Sequence, residues 1–166
     1  MRKRIYYENA TYHVISRGNN RQFILKDEDD KRSLLLSIAK YKDRYHFLLY
    51  AFVLMDNHIH LIIEVNESHN ISRVMQAILL SYSRKYRVKH SYSGHLWQGR
   101  FGSIPILKER YIRELIDYIH QNPVRAKMVD QATDYIWSSA RAYSCLENNQ
   151  IDSLLAIDKY GHFSQN

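Results

Sequence analysis

Two histidines separated by one residue are the first candidates for chemistry in this chain of 166 residues. His58 and His60 lie in an apolar segment that is typical of a strand. Because side chains alternate across a strand, both imidazoles project from one face and Ile59 projects from the other. Neutral imidazole is a good ligand for a divalent cation, so the pair offers two ligands of a metal site. The alternative is a pair of ordinary sheet residues, because the chain has 9 histidines.

A predicted helix over residues 108–122 carries two further candidates, Tyr118 and Asn122. They are four residues apart and therefore lie on one line, one turn above the other. The carboxamide oxygen of Asn122 is a hard ligand that could complete a set with His58 and His60, and the phenol of Tyr118 would then lie near a metal-bound phosphate. The alternative is a tyrosine at the edge of the core and a helix-ending residue before Pro123.

The elements that must position these residues follow the order β-α-β-β-α-β-α. This order predicts an α+β fold, a ferredoxin-like antiparallel sheet with helices packed on it. We expect the second helix to fray or turn near Lys85 and Lys89, which lie outside its cationic arc. We expect one domain over residues 1–147 and a C-terminal extension over residues 148–166. The predicted strands cover residues 12–15, 47–54, 58–65 and 101–107, and the first two helices cover residues 27–45 and about 70 to the high eighties.

The positive charge of the chain is concentrated in one window. The net charge is +7, and residues 68–108 contain no Asp or Glu. A local excess of this kind suits a phosphate backbone, and interleaved aromatic side chains suit unstacked bases of single strands or hairpin loops. The alternative is a solvated basic face above core aromatics. The basic residues are Arg73, Arg84, Lys85, Arg87, Lys89, Arg100 and Lys108, and the aromatic residues are Tyr82, Tyr86, Tyr92 and Trp97.

The composition also excludes several classes of protein. The 1 cysteine, Cys145, rules out an intramolecular disulfide and favours a reducing compartment. The longest apolar runs, such as residues 47–55, are about half the length that crosses a bilayer. We therefore expect a soluble, cytoplasmic, nucleoid-associated protein with no membrane partner.

Four blocks of sequence, taken together, resemble the REP-associated tyrosine transposases, relatives of the insertion-sequence transposases of the HUH (His-hydrophobic-His) superfamily. The blocks occur in the family's order and cover most of residues 12–129. They are residues 12–19 (YHVISRGN), 55–61 (MDNHIHL), 96–101 (LWQGRF) and 118–126 (YIHQNPVRA).

The resemblance implies a role for each candidate residue. It implies that His58, His60 and Asn122 bind Mg²⁺ or Mn²⁺ and that Tyr118 attacks DNA. The implied substrate is single-stranded DNA with hairpin-forming repeats, and the implied assembly is either a monomer or a homodimer. The residues expected to hold DNA are Arg84, Lys85, Arg87, Trp97 and Arg100, with Arg17 and Asn19 beside them.

The reaction implied by the resemblance is single-strand nicking and joining through a 5′-phosphotyrosine, as in DNA transposition and recombination. Two alternatives stay open: a non-catalytic module that binds DNA or RNA hairpins, and a metal-dependent phosphodiesterase that uses water. Two positions depart from the family pattern. Asp56 stands where proline is common, which predicts a looser turn, and Lys127 stands where glycine is usual, which predicts a different helix end.

Overall fold

The computed structural model describes residues 7, 9–108 and 110–144. The predicted C-terminal extension and Cys145 lie outside the described residues. Within them, no helix combines the length and apolar character needed to cross a membrane. The strands are β1 (Thr11–Arg17), β2 (Leu48–Leu54), β3 (His58–Glu64) and β4 (Gly102–Pro105), and the helices are α1 (Glu28–Tyr45), α2 (Ile71–His90), α3 (Arg110–His120) and α4 (Asn122–Arg125).

The four strands form one antiparallel sheet in the order β2-β3-β1-β4. With the helices, this order is the ferredoxin-like α+β arrangement, so the predicted fold class is confirmed. β1 and β3 lie at the centre, and β4 is an edge strand. The edge position explains why Pro105, which has no N–H to donate, is tolerated there.

The two faces of the sheet have different contents. Alternation along β3 places Ile59, Leu61 and Ile63 on one face, where all three side chains are buried. The opposite face carries His58 and His60.

α1 and α2 pack against each other, and Ser37 and Ser81 meet between them, with the hydroxyls 3.3 Å apart. α3 packs against β2.

Three predicted element ends are corrected by the structure. α2 does not fray at Lys85 or Lys89 but runs without interruption to His90. α3 ends at His120, so Asn122 is the first residue of α4 and not the last of α3. β4 covers Gly102–Pro105 and is therefore shorter than the predicted strand over residues 101–107.

The departure at Lys127 leaves the turn after α4 intact. Lys127 has a φ of 56°, in the left-handed region that glycine usually supplies. Its N–H bonds to the carbonyl of Val124, and the N–H of Met128 bonds to the carbonyl of Pro123, both at 2.9 Å. This pair of bonds is a Schellman motif, so lysine supports the same helix end as glycine.

Candidate active site

The ring of His58 is held in one tautomer by its neighbour Asn57. The Nδ1 atom of His58 lies 2.6 Å from the Oδ1 atom of Asn57. A carboxamide oxygen accepts hydrogen bonds and cannot donate them, so Nδ1 must carry the proton. The Asn57 amide nitrogen faces the carbonyl of Arg21 at 3.4 Å, which is consistent with this orientation of the amide. The Nε2 atom of His58 therefore keeps its lone pair.

His60 is also engaged at Nδ1, which lies 2.9 Å from the Nε2 atom of His13. The rings of these two histidines are stacked, with centroids 5.2 Å apart. The ring of His58 meets that of His60 edge to face at 5.1 Å. Because Nδ1 is occupied in both rings, Nε2 is the atom that each could offer to a metal.

Burial keeps both imidazoles neutral at pH 7. It lowers the pKa of His60 to about 3, and the neighbouring His58, His13 and Arg17 add smaller effects in the same direction. Burial, followed by the charge of Arg17, also lowers the pKa of His58. Neutral imidazole is the form that coordinates metal, so the pair does not have to lose protons to bind one.

The turn that aims the two histidines is fixed by Asp56 in spite of the missing proline. Its carboxylate pairs with Lys31 at 2.8 Å, and the Lys31 side chain is only 11% exposed. Its carbonyl accepts the N–H groups of Ile24 at 2.9 Å and Leu25 at 3.0 Å. These contacts tie the turn to α1 and to the segment before it, and the prediction of a looser turn than one with proline stays a prediction.

Three loops meet at this end of the sheet, and we call them the loop junction: residues 17–19, 56–57 and 96–98. The N–H of Gly18 donates to the carbonyl of Asn57, and that of Asn19 to the carbonyl of Leu96, both at 2.8 Å. Gly18 also pairs with Trp97 as an isolated bridge. A Cβ atom at Gly18 would collide with the carbonyl oxygen of Gln22, so glycine is required for the close approach.

Tyr118 and Asn122 are adjacent, as their spacing predicts, although the helix breaks between them. The amide nitrogen of Asn122 donates to the carbonyls of Tyr118 at 3.1 Å and Ile119 at 2.9 Å. Oδ1 is therefore the atom that Asn122 could offer to a metal. Within the described residues the side-chain hydrogen bonds of Asn122 go to α3 and none to His58 or His60.

A cavity of about 550 Å³ links Tyr118 to the histidine face of the sheet through His13, whereas His58 and His60 do not line it. It lies between β4, α3 and the segment that joins them, and both Tyr118 and His13 line it. Tyr118 is 44% exposed, so its side chain is open to solvent. Contact thus runs from His58 through His60 to His13, and His13 lines the cavity of Tyr118.

Sequence reasoning assigned no role to two residues at this site, His13 and Arg125. The guanidinium of Arg125 lies 4.6 Å from the ring centroid of Tyr118, which places a positive charge beside the phenol. Both residues stand inside the blocks that carry the family resemblance. Arg125 lies in α4, beyond the break after His120, so helical spacing from Tyr118 does not by itself predict their contact.

The expected DNA-binding residues separate into two groups. Arg17 is exposed opposite His58 on the paired strand, with Asn19 two residues away in the loop junction. The second group lies on and beside α2. Its exposed members are Arg84, Lys85, Arg87 and Arg100.

Trp97 connects the two groups of basic residues. Its indole N–H donates to the Ser83 hydroxyl at 2.9 Å, and its backbone belongs to the loop junction. Trp97 and Arg100 line a cavity of about 410 Å³ against α2.

The aromatic residues of the basic window are mostly core. Tyr82 and Tyr86 are buried, and the hydroxyl of Tyr82 donates to the carbonyl of Ile24. Tyr92 is half-buried and accepts a hydrogen bond from the Gln22 amide at 2.9 Å. The alternative of core aromatics is therefore correct for Tyr82 and Tyr86, and Trp97 is the better candidate for stacking on a base.

A second cluster of potential ligands, which we call the helix latch, lies where α1 begins and α2 ends: Asp27, Asp30 and His90. Among the described residues this is the group of three His, Cys or carboxylate side chains whose ligand atoms lie within 4.8 Å of one another. The ammonium of Lys89 lies 2.6 Å from Asp27 and 3.1 Å from Asp30. The protein's own cation fills this cluster.

Comparison with known proteins agrees with the fold and the residue blocks. The profile of a family described as IS200-like transposases matches residues 6–122. A Haemophilus influenzae protein, provisionally named as a REP-associated tyrosine transposase, is 29% identical over an alignment of 108 residues that covers 58% of this chain and 61% of that relative. The solved structure of a REP-associated tyrosine transposase bound to a REP hairpin superposes with a TM-score of 0.73 at 23% identity, covering 99% of this chain and 94% of the other.

Proposed function

Because the chain belongs to the IS200-like transposase family, we propose that it nicks and rejoins single-stranded DNA through a 5′-phosphotyrosine on Tyr118. The proposal assigns His58, His60 and Asn122 as ligands of Mg²⁺ or Mn²⁺. It also assigns hairpin-forming repeats as the substrate, in keeping with the relative that was solved with a REP hairpin.

One observation carries the proposal: two neutral imidazoles, each engaged at Nδ1, stand on the sheet face whose cavity is lined by an exposed tyrosine. Two Nε2 atoms and one carboxamide oxygen make a mixed set that leaves coordination positions for water and phosphate oxygens. The residues present thus fit a small divalent cation. A bound cation would withdraw charge from the oxygens of the scissile phosphate.

In the proposed reaction the phenolic oxygen of Tyr118 forms a bond to the scissile phosphorus while the bond from phosphorus to the 3′-oxygen breaks. The phenol loses its proton and the departing 3′-oxygen gains one, which leaves a free 3′-hydroxyl. Arg125, 4.6 Å from the ring centroid, offers charge-assisted hydrogen bonds to the phosphate. Attack by a 3′-hydroxyl on the phosphotyrosine reverses the steps and joins strands without ATP.

The proposed DNA path follows the two groups of basic residues. Arg17 and Asn19 would hold the backbone next to His58, with Trp97 of the loop junction offering a flat face for an unpaired base. Arg84, Lys85, Arg87 and Arg100 would hold the phosphates of the hairpin on the exposed side of α2. A split of this kind separates the strand that is cut from the structure that is recognised.

The test is a search for a covalent adduct on a denaturing gel. The full chain is incubated with Mn²⁺ and end-labelled hairpin oligonucleotides taken from the DNA beside its gene. We expect a slow-migrating adduct that Tyr118→Phe abolishes. The matched control is Tyr111→Phe, since Tyr111 is exposed to a similar extent and lines the same cavity, and it should still form the adduct.

Three results would contradict the proposal. An adduct that persists in Tyr118→Phe would assign the nucleophile to another residue. Hairpin binding by the wild type without adduct or cleavage would indicate a non-catalytic binding module, and cleavage without adduct would indicate a phosphodiesterase that uses water.

A further inference from the structure

We propose that His13 is a positioning residue that fixes His60 in the tautomer able to bind metal. The inference rests on the proposed function, because it concerns a ligand of the proposed metal site. His13 lies on β1, one strand away from His60 on β3, and both side chains are buried.

The register of the sheet brings the two rings together. His60 is paired with Ile15, and His13 is paired with Ile62, so the two histidines are diagonal neighbours on the same face. The Nε2 atom of His13 lies 2.9 Å from the Nδ1 atom of His60, in a buried hydrogen bond. Diagonal neighbours on adjacent strands are so far apart that only long or aromatic side chains can reach each other, and histidine is long enough.

The direction of this hydrogen bond decides what His60 can do. If His13 donates, His60 carries its proton on Nε2 and has no lone pair to offer, because its Nδ1 lone pair faces His13. If His60 donates, its Nε2 lone pair is free, and His13 carries its own proton on Nδ1. Neutral histidine has one proton to place, so a partner that accepts at Nδ1 selects the ligand form.

The direct test observes the tautomer in the metal-free protein by nitrogen-15 NMR of labelled histidines at pH 7.5. In the wild type we expect His60 to carry its proton on Nδ1. His13→Leu removes the acceptor, so His60 should become a mixture of tautomers. His13→Gln supplies a side-chain oxygen in its place and should restore the wild-type signal in part or in full.

The second readout is the affinity for Mn²⁺ in the absence of DNA, measured by titration calorimetry. We expect His13→Leu to weaken binding about tenfold, within the range typical of groups that orient a metal ligand, and His13→Gln to recover most of it. The control is Val14→Ala, a buried neighbour on the opposite face of β1, which disturbs packing but should change neither readout.

The inference and the proposed function fail in different ways. A wild-type His60 protonated on Nε2, or a His13→Leu protein with an unchanged tautomer and Mn²⁺ affinity, would overturn the positioning role of His13. Neither result requires DNA or cleavage. Absence of the Tyr118 adduct in the wild type would overturn the proposed chemistry and leave the tautomer measurement to decide the role of His13.

Discussion

The histidines of the sheet and the helix latch contain similar groups but use them in opposite ways. In the helix latch the buried carboxylate of Asp30 accepts from His90 at 2.9 Å, from the backbone of Lys26 at 3.0 Å and from Lys89 at 3.1 Å. On the sheet, His58 and His60 are each hydrogen-bonded at one nitrogen, and among residues 7, 9–108 and 110–144 no partner faces the other nitrogen. The difference teaches that proximity of ligand types does not make a metal site. What matters is whether the surrounding residues leave the lone pairs free.

The largest expected effect is on Mn²⁺ affinity, which should depend on the histidines of the sheet and not on the helix latch. Replacing both His58 and His60 with Ala should weaken Mn²⁺ binding at least about a thousandfold, because two of the three proposed ligands are lost. Asp27→Asn, in the helix latch, should leave the affinity unchanged. Titration calorimetry with Mn²⁺ measures both, and the opposite pattern would reverse the comparison.

The next effect concerns stability. Asp30→Ala should lower the free energy of unfolding by about 3 kcal/mol, because it leaves the groups that face this buried carboxylate without their acceptor. Asp29→Ala is the matched control: its side chain is 85% exposed and lies 3.9 Å from Lys89, so its loss should cost less than about 0.5 kcal/mol. Urea unfolding at pH 7 measures both values. Equal losses would show that the helix latch is not a buried network.

His120, a buried histidine outside both clusters, shows how burial alone changes the pKa of an imidazole and the pH dependence of stability. Burial lowers the pKa of His120 to about 4, and its Nε2 atom lies 2.8 Å from the Ser139 hydroxyl. In the unfolded chain the pKa is near 6.5, so the unfolded state binds the proton more readily as pH falls through the interval from about 6.5 to 4. Stability from His120 is therefore complete above 6.5 and is lost toward pH 4.

When the pH falls from 6.5 to 5, we expect the free energy of unfolding of the wild type to fall by about 1.5 kcal/mol more than that of His120→Gln. Because the pH dependence that comes from all other groups is common to both proteins, the informative quantity is the difference between them. Urea unfolding at several pH values provides it. Parallel stability curves for the two proteins would mean that His120 is accessible to protons in the folded state.

The smallest effect tests the support of His58. Asn57→Ala removes the acceptor for Nδ1 of His58 and should weaken Mn²⁺ binding about tenfold. Asn57→Asp keeps an oxygen at the same place and should bind Mn²⁺ at least as well as the wild type. If the alanine variant bound like the wild type, the free lone pair of His58 would not depend on Asn57.

The elements of the fold could be predicted because apolar periodicity is a local property. The hairpin of β2 and β3 and the start of α1 at the Asp27 cap follow from adjacent residues. The end of α2 could not be predicted from its own helical pattern. Lys89 lies outside the cationic arc of that helix and pairs with Asp27, which is 62 residues away, so no pattern within α2 contains the contact.

Within the site, too, local spacing could be predicted, whereas contacts between residues far apart in the sequence could not. The spacing of His58 and His60 places both on one face, and the spacing of Tyr118 and Asn122 makes them neighbours. The contact of His13 with His60 depends on the pairing of strands 47 residues apart, which no local pattern contains. The break between α3 and α4 precedes Pro123, and the sequence placed the end of the helix two residues too late, at Asn122 instead of His120.

The loop junction has a consequence for the thermodynamics of binding. Residues 17–19, 56–57 and 96–98 are held to one another by protein backbone hydrogen bonds through Gly18 and Asn19. A surface that is ordered in advance loses little conformational entropy when it is covered. A strand that binds there would therefore supply most of the ordering cost itself, and DNA already folded as a hairpin would bind with a smaller entropic penalty than a flexible strand.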